Sequence, residues 1–343
     1  MKYCFVLIFV ASSLLRAQTA TEAARAFDRG DWAPAAAAYD KLLKANPRSG
    51  EYSARLGIAL ANLGRCPEAL TQLKKPGAPA IGDDLKKALG QSGIRCAMAL
   101  NQQDDALTFL RTLRRQFPKD PEIQYLSVHV LSDLSIRASQ ELLFDNPSAY
   151  QVHQLNAESL ETQGKWDEAM AEYRAVLDKN PDVPGIHFRI GRLILSKPKT
   201  PSTFTDAKKE FEAELKIDPN NSGAEYVLGE IARQQEQWSD SVAHFTRATE
   251  LDRGFADAFV GLGTALLGLG KDADAIAPLE TAAKLQPQNP ASHYQLAIAY
   301  RRAGRMNEAT QEFKVYKEVS AQAETMRRSV QEGVTGTQQP ANQ

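Results

Sequence analysis

Five histidines, two internal cysteines and many carboxylates are the side chains of this 343-residue chain best suited to chemistry. His129, His153, His187, His244 and His293 lie far apart in sequence, and three of them (His153, His187 and His293) fall at the same place in a recurring pattern, near the start of a helix-like stretch. Imidazoles in register invite a metal reading. Equivalent places in successive packed helices are separated by about 10 Å or more, however, whereas zinc ligands converge to about 2 Å from the ion. The histidines are therefore expected to be partly buried packing residues, with no metal bound. No glycine-rich phosphate loop, His-Glu-x-x-His or strand-nested nucleophile motif occurs. The run "KDADA", 271–275, reads as an acidic helix start, because it lacks the alternating ligands of a twelve-residue calcium loop. Other carboxylates read as solvated helix faces. Neither catalysis nor a cofactor is expected.

Composition narrows the partners. The chain is 43% apolar and 24% charged with a net charge of −1. Without Lys2 and Arg16 the balance becomes about −3. No basic stripe is present, so nucleic acid is not an expected partner. The first residues, "MKYCFVLIFVASSLLRAQ", combine a positive start, an apolar run from Cys4 to Leu15 and a small residue at Ala17. That pattern predicts a cleaved signal peptide over 1–17. The run is shorter than the roughly 20 residues that span a bilayer, so no membrane span is expected after cleavage, and the location is expected to be periplasmic or secreted. The mature chain then holds Cys66 and Cys96, an even count that permits a disulfide in an oxidising compartment.

The elements that position these residues are written by repetition. "GKWDEAMAEYRAVLDKNP", from Gly164 to Pro181, has near-copies from Gly30 to Pro47 and from Gly270 to Pro287. Gly30 and Gly64 are 34 residues apart, as are Gly270 and Gly304. Five residues after each glycine stands an alanine (Ala35, Ala69, Ala169, Ala275, Ala309), and four further on an aromatic or leucine (Tyr39, Leu73, Tyr173, Leu279, Phe313). Before the glycines lie amphipathic stretches centred on a small residue, Gly57, Gly263 or Ala297 among them. The glycine can adopt the left-handed conformation that ends a helix. A second helix then opens with acids, where its dipole favours them, and a proline closes the pair. In this reading the alanine faces the small residue of the first helix, with the aromatic beside it.

The pattern resembles the tetratricopeptide repeat, in which Leu-Gly/Ala-x-x-Tyr is followed by Ala-x-x-x-Phe and Pro. Leu262, Gly263, Ala275 and Pro287 match it in one unit, and Leu296, Ala297, Tyr300, Ala309 and Phe313 in another. The resemblance implies an all-α, right-handed α-solenoid of stacked antiparallel helix pairs with a C-terminal capping helix. Nine units are expected, at 18–49, 50–81, 87–120, 121–149, 150–183, 184–221, 222–255, 256–289 and 290–323. The unit at 121–149 lacks the glycine and central alanine and reads as a joint or a diverged repeat between N-terminal (18–120) and C-terminal (150–323) arrays. Pro198 and Pro201 predict a longer inter-helix loop in the unit from 184. Val319, Met326 and Val330 extend an apolar stripe, so the capping helix is expected to end near 331 and the tail, 332–343, to be disordered.

The same resemblance implies sites. Cys66 would open one second helix and Cys96 would lie within the next first helix, side by side in this architecture; the pair is either a disulfide or two buried thiols. In this family the concave surface is lined by first helices. The corresponding slots here include Gln154, Glu158, Phe188, Arg192, Tyr226, Glu230, Arg233, Thr264, Tyr294, Arg301 and Arg302. Exposed aromatics and arginines on a rigid surface suit protein recognition, which implies a non-catalytic interaction scaffold of the cell envelope that grips a protein segment. The alternative is a glycan-binding or polysaccharide-secretion module, with Phe188, Tyr226 and Tyr294 stacking on sugar rings.

Overall fold

The computed structural model describes residues 19–75 and 81–336, with side chains to 329; the expected signal peptide and residues 337–343 lie outside them. The chain divides into two compact units, Met1–Phe144 and Asp145–Gln343. The first contains α1 (19–28), α2 (Trp32–Ala45), α3 (Gly50–Asn62), α4 (Cys66–Leu73), α5 (Asp83–Ala99), α6 (Gln103–Gln116) and α7 (Pro121–Asp145, whose last residue crosses the division). The second contains α8 (Tyr150–Thr162), α9 (Trp166–Lys179), α10 (Ile186–Ser196), α11 (Thr203–Ile217), α12 (Ser222–Gln234), α13 (Trp238–Leu251), α14 (Ala256–Gly268), α15 (Asp272–Leu285), α16 (Pro290–Arg302) and α17 (Met306–Gly336). Among the described residues all regular structure is helical.

Turns set the beat. Gly30, Gly64, Gly164, Gly270 and Gly304 have φ between 72° and 79°, and Asn101 and Glu236 hold the same left-handed place at 56°. The residue after each donates its N–H to the carbonyl five residues back, as from Arg65 to Leu60 at 2.9 Å and from Lys271 to Leu266 at 2.9 Å. This closure satisfies carbonyls that a helix end leaves without partners and reverses the chain into the next helix.

Packing within a pair differs in detail from the expectation. The small residue of the first helix is met by the bulky residue of the second, not chiefly by its alanine. A Cβ on Gly57 would lie 2.6 Å from the Leu73 side chain, and on Gly229 2.9 Å from the Phe245 ring. The bulky side chain needs the missing Cβ, while the alanine (Ala69, Ala169, Ala275) sinks to 0% exposure beside it. Tyr39, Tyr173, Phe211, Phe245 and Leu279 are correspondingly buried, each contributing about 1.5–3 kcal/mol.

Two expected boundaries shift. Residues 121–149 contain one 25-residue helix, α7, in place of a helix pair. Between Pro121 and Pro147 the sequence has neither glycine nor proline, so nothing interrupts the i→i−4 ladder. At the C-terminus α17 runs unbroken to Gly336, past 331. Val319 is buried at 7% exposure but Met326 is 71% exposed, because by that point the helix has outrun its 13-residue partner α16. The loop expected after α10 is present at 197–202, where the Thr200 N–H donates to the Thr203 hydroxyl at 2.7 Å. Cys66, the first residue of α4, is joined to Cys96 of α5, with Cα atoms 4.9 Å apart.

Candidate functional site

The candidate groove residues sit on first helices of the second unit: Gln154 and Glu158 on α8, Phe188 and Arg192 on α10, Tyr226, Glu230 and Arg233 on α12, Thr264 on α14, and Tyr294, Arg301 and Arg302 on α16. Spacings of three and four keep neighbours on one helix face. The aromatics are anchored by the helices around them. Phe188 meets Phe211 edge-on at 5.5 Å, and its ring lies 3.2 Å from where a Cβ on Gly223 would be. Tyr226 stands between Phe245 at 5.7 Å and Phe255 at 4.8 Å. Tyr294 packs on Phe313 and Tyr316, at 6.1 and 5.3 Å, and stays 42% exposed. Desolvation, with Glu230 and Asp257 adding to it, pushes the Tyr226 phenol up to about 12.

The charged residues divide into those already satisfied and those left open. Arg233 grips Glu230, with Nη2 to Oε2 at 2.8 Å and Nε to Oε1 at 3.1 Å, and this bond is the leading reason the guanidinium pKa is raised. Glu158 accepts from the Gln154 amide at 3.3 Å and pairs with Arg189 at 3.3 Å. Arg302 donates to the Leu267 carbonyl at 3.1 Å and approaches Asp272 at 3.7 Å, so it ties α16 to the end of α14. Thr264 spends its hydroxyl on the Val260 carbonyl at 2.8 Å. Arg192 and Arg301 make no ion pair among the described residues; Arg301 lies 5.8 Å from the Phe313 ring centroid.

Two polar devices escaped the reading of the sequence. Four histidines each face a glutamate across their own helix pair: His153 with Glu172, His187 with Glu210, His244 with Glu225, and His293 with Glu312, all Nδ1 to Oε2 at 2.7 Å. In α12 and α13 the members are exchanged, the glutamate lying on the first helix. In α14 and α15 the same two places hold Phe259 and Pro278. In the first unit Ser53 and Gln72 fill them, with Ser53 Oγ 3.2 Å from Gln72 Oε1. The signal was a glutamate 19 residues after His153 and His293.

The second device is Glu214, 0% exposed on α11. Its carboxylate accepts from the Gly185 N–H at 2.7 Å, the Phe188 N–H at 3.2 Å and the Asn221 amide at 3.3 Å. Gly185 opens α10 in the left-handed conformation, φ 86°, and has no side chain with which to cap. Glu214 supplies the cap from the neighbouring helix and so fixes the first turn that carries Phe188.

With this geometry in place, comparison with known proteins is informative. The yeast mitochondrial import receptor subunit TOM70 (Saccharomyces cerevisiae) is 24% identical over 158 residues, covering 45% of this chain and 21% of that protein. Cellulose synthase operon protein C of Pseudomonas fluorescens is 26% identical over 182 residues, 48% of this chain and 14% of that protein. The chain thus spans a small part of the length of either curated relative. A crystal structure of the MamA protein aligns with a TM-score of 0.46 at 21% identity, over 51% of this chain and 94% of that one. The tetratricopeptide repeat model matches residues 21–79, 133–184, 155–222, 226–290 and 260–324. Those matches cover more than half of the sequence, and the chain belongs to the tetratricopeptide repeat family.

Proposed function

We propose that the second unit is a non-catalytic interaction scaffold that holds a segment of a partner protein against its first helices. The observation that carries this reading is the row Phe188, Tyr226, Tyr294. The three rings occupy one helix position on α10, α12 and α16, braced from behind and partly open in front. Braced aromatics contribute contact area at low entropic cost, and open guanidinium groups beside them supply charge. Arg192 and Arg301 are the open ones; Glu230–Arg233 and Glu158–Arg189 are internally paired. We place the scaffold in the cell envelope, after export by the leader 1–17; the Cys66–Cys96 bond supports an oxidising compartment.

The test is affinity capture from a cell-envelope extract with chain 18–343, beside a variant carrying Arg192→Glu, Arg301→Glu and Tyr294→Ala. A stoichiometric protein retained by the parent and lost by the variant is the expected result. Retention of polysaccharide alone would move the reading to glycan binding. A protein retained equally by both would refute the first-helix face as the site.

A further inference from the structure

A second surface, in the first unit, is built like an unfinished repeat. In complete pairs one place of the first helix, the eighth residue of α3, α12 and α14 and the sixth of the later-starting α10, is small (Gly57, Gly229, Gly263 and Gly191), and a Cβ there would come within 2.3–2.9 Å of a side chain on the second helix. The corresponding residue of α7 is Val128, which is 67% exposed; Leu131, one turn on, is 43% exposed. An adjoining side of α7 is already committed, with Ile123, Ser127, Val130 and Leu134 buried. A surface helix ordinarily has one apolar stripe. This one has two, and the second is the face that a second helix covers in every complete pair.

Beside that face runs a groove of about 640 Å³ between α6 and α7. Leu107, Leu110, Val128 and Leu131 supply apolar lining, and Arg111, Arg114 and Arg115 line it from α6. Those arginines make no ion pair among the described residues. The chain shows what such a cation is for. Lys74, just past α4, pairs with Asp105 in the first turn of the next second helix, α6. Arg111 follows Lys74 by 37 residues, just as the left-handed Asn101 follows Gly64 by 37. By that register Arg111 awaits an acid in the first turn of a helix lying beside α7.

We propose that this groove seats one amphipathic helix of a partner protein, acidic in its first turn and small where it crosses Val128, completing the fourth pair in trans. The seat is distinct from the first-helix face of the second unit. Charge complementarity argues for a partner over a second copy of the chain. The unpaired helix of a second copy is α7 itself, with a single acid, Glu122, in its first turn. It would also bring bulky Val128 or Ile136 to a crossing that calls for a small residue.

The probe is a fluorescein-labelled peptide of sequence 164–181, held helical by an i,i+4 lactam on its outer side. It has Asp167 and Glu168 in its first turn and carries Tyr173→Ala, because the place of Tyr173 is the one that meets the small residue of a first helix. Anisotropy titration against the whole chain is expected to give saturable binding. Val128→Asp, at an exposed position that leaves the fold intact, should weaken it at least tenfold. Arg111→Glu with Arg114→Glu should do the same, and a peptide with both acids changed to lysine should regain affinity for that variant alone. No saturable binding, or binding indifferent to Val128→Asp, overturns the proposal. So does a dimer in sedimentation velocity that Val128→Asp dissolves, which would assign the seat to a second copy.

Discussion

Glu214→Ala isolates one buried carboxylate and can be worked through in numbers. The change leaves the Gly185 and Phe188 N–H groups at the start of α10 without their acceptor. A buried donor left unsatisfied costs about 1–3 kcal/mol, and the one lost methylene, Cγ, about 0.8 kcal/mol. Together these come to roughly 5 kcal/mol. Against this stands the desolvation of the carboxylate itself, several kcal/mol when an ion is fully buried, which the alanine variant no longer bears. The expected net loss is about 3 kcal/mol, roughly a hundredfold in a local equilibrium. Because the chain has two units, a single unfolding midpoint would blur the effect. Hydrogen exchange by mass spectrometry on the peptide covering 184–196 reads it directly: amides of α10 should exchange about a hundredfold faster, those of α14 and α16 unchanged. Glu214→Gln keeps one acceptor oxygen and should fall between. Protection of α10 within twofold of the parent in the alanine variant would refute the claim that Glu214 holds this helix start.

Removing the Cys66–Cys96 bond, which closes a loop of sequence separation 30, should cost the first unit about 3–4 kcal/mol by chain entropy. Urea unfolding of Cys66→Ser with Cys96→Ser tests the size, and two free thiols on unfolded, unreduced parent would contradict the bond. At high pH the sign is fixed by Tyr226. Its phenol is raised from 10.0 to about 12, mainly by desolvation, so the folded state keeps a proton that the unfolded state has lost. Its contribution is complete below about pH 10 and disappears as pH climbs through 12. Spectrophotometric titration should show one late-ionising phenol fewer in Tyr226→Phe, and loss of a phenol titrating near 10 would refute the assignment. Exchanging His187 and Glu210 should restore most of the stability lost by either single change to alanine, about 1 kcal/mol, since Glu225 and His244 already use that order. A swapped variant no more stable than the singles, in thermal melts, argues that the order matters.

What the sequence disclosed follows from how local each signal is. The left-handed turns were legible because a residue at positive φ is most often glycine. The small residue and its bulky partner were legible as a spacing, though not which of Ala69 or Leu73 sits over Gly57; only the packed helices decide that. α7 was only half legible because a missing turn is an absence, and an absence leaves open whether 121–149 is a joint or a diverged repeat. Glu214 was invisible for another reason: a carboxylate on a helix is usually solvated, and its backbone donors lie 26 and 29 residues away. Among the groove residues, sequence position could not separate the open Arg192 from Arg233, already engaged with Glu230 three residues earlier.

The histidine–glutamate contact also bears on how such a chain grows. Its donor and acceptor belong to one helix pair, in either order, and an apolar couple can take their place. This contact therefore imposes no matching demand on whatever precedes or follows the pair, and by itself leaves whole pairs free to be duplicated, deleted or transplanted. Other polar contacts do cross between pairs: Glu214 bonds Asn221 of the next pair, Arg189 holds Glu158 of the one before, and Arg302 ties α16 to α14; α10 and α11, tied on both sides, are a module that such exchange could not lift out alone.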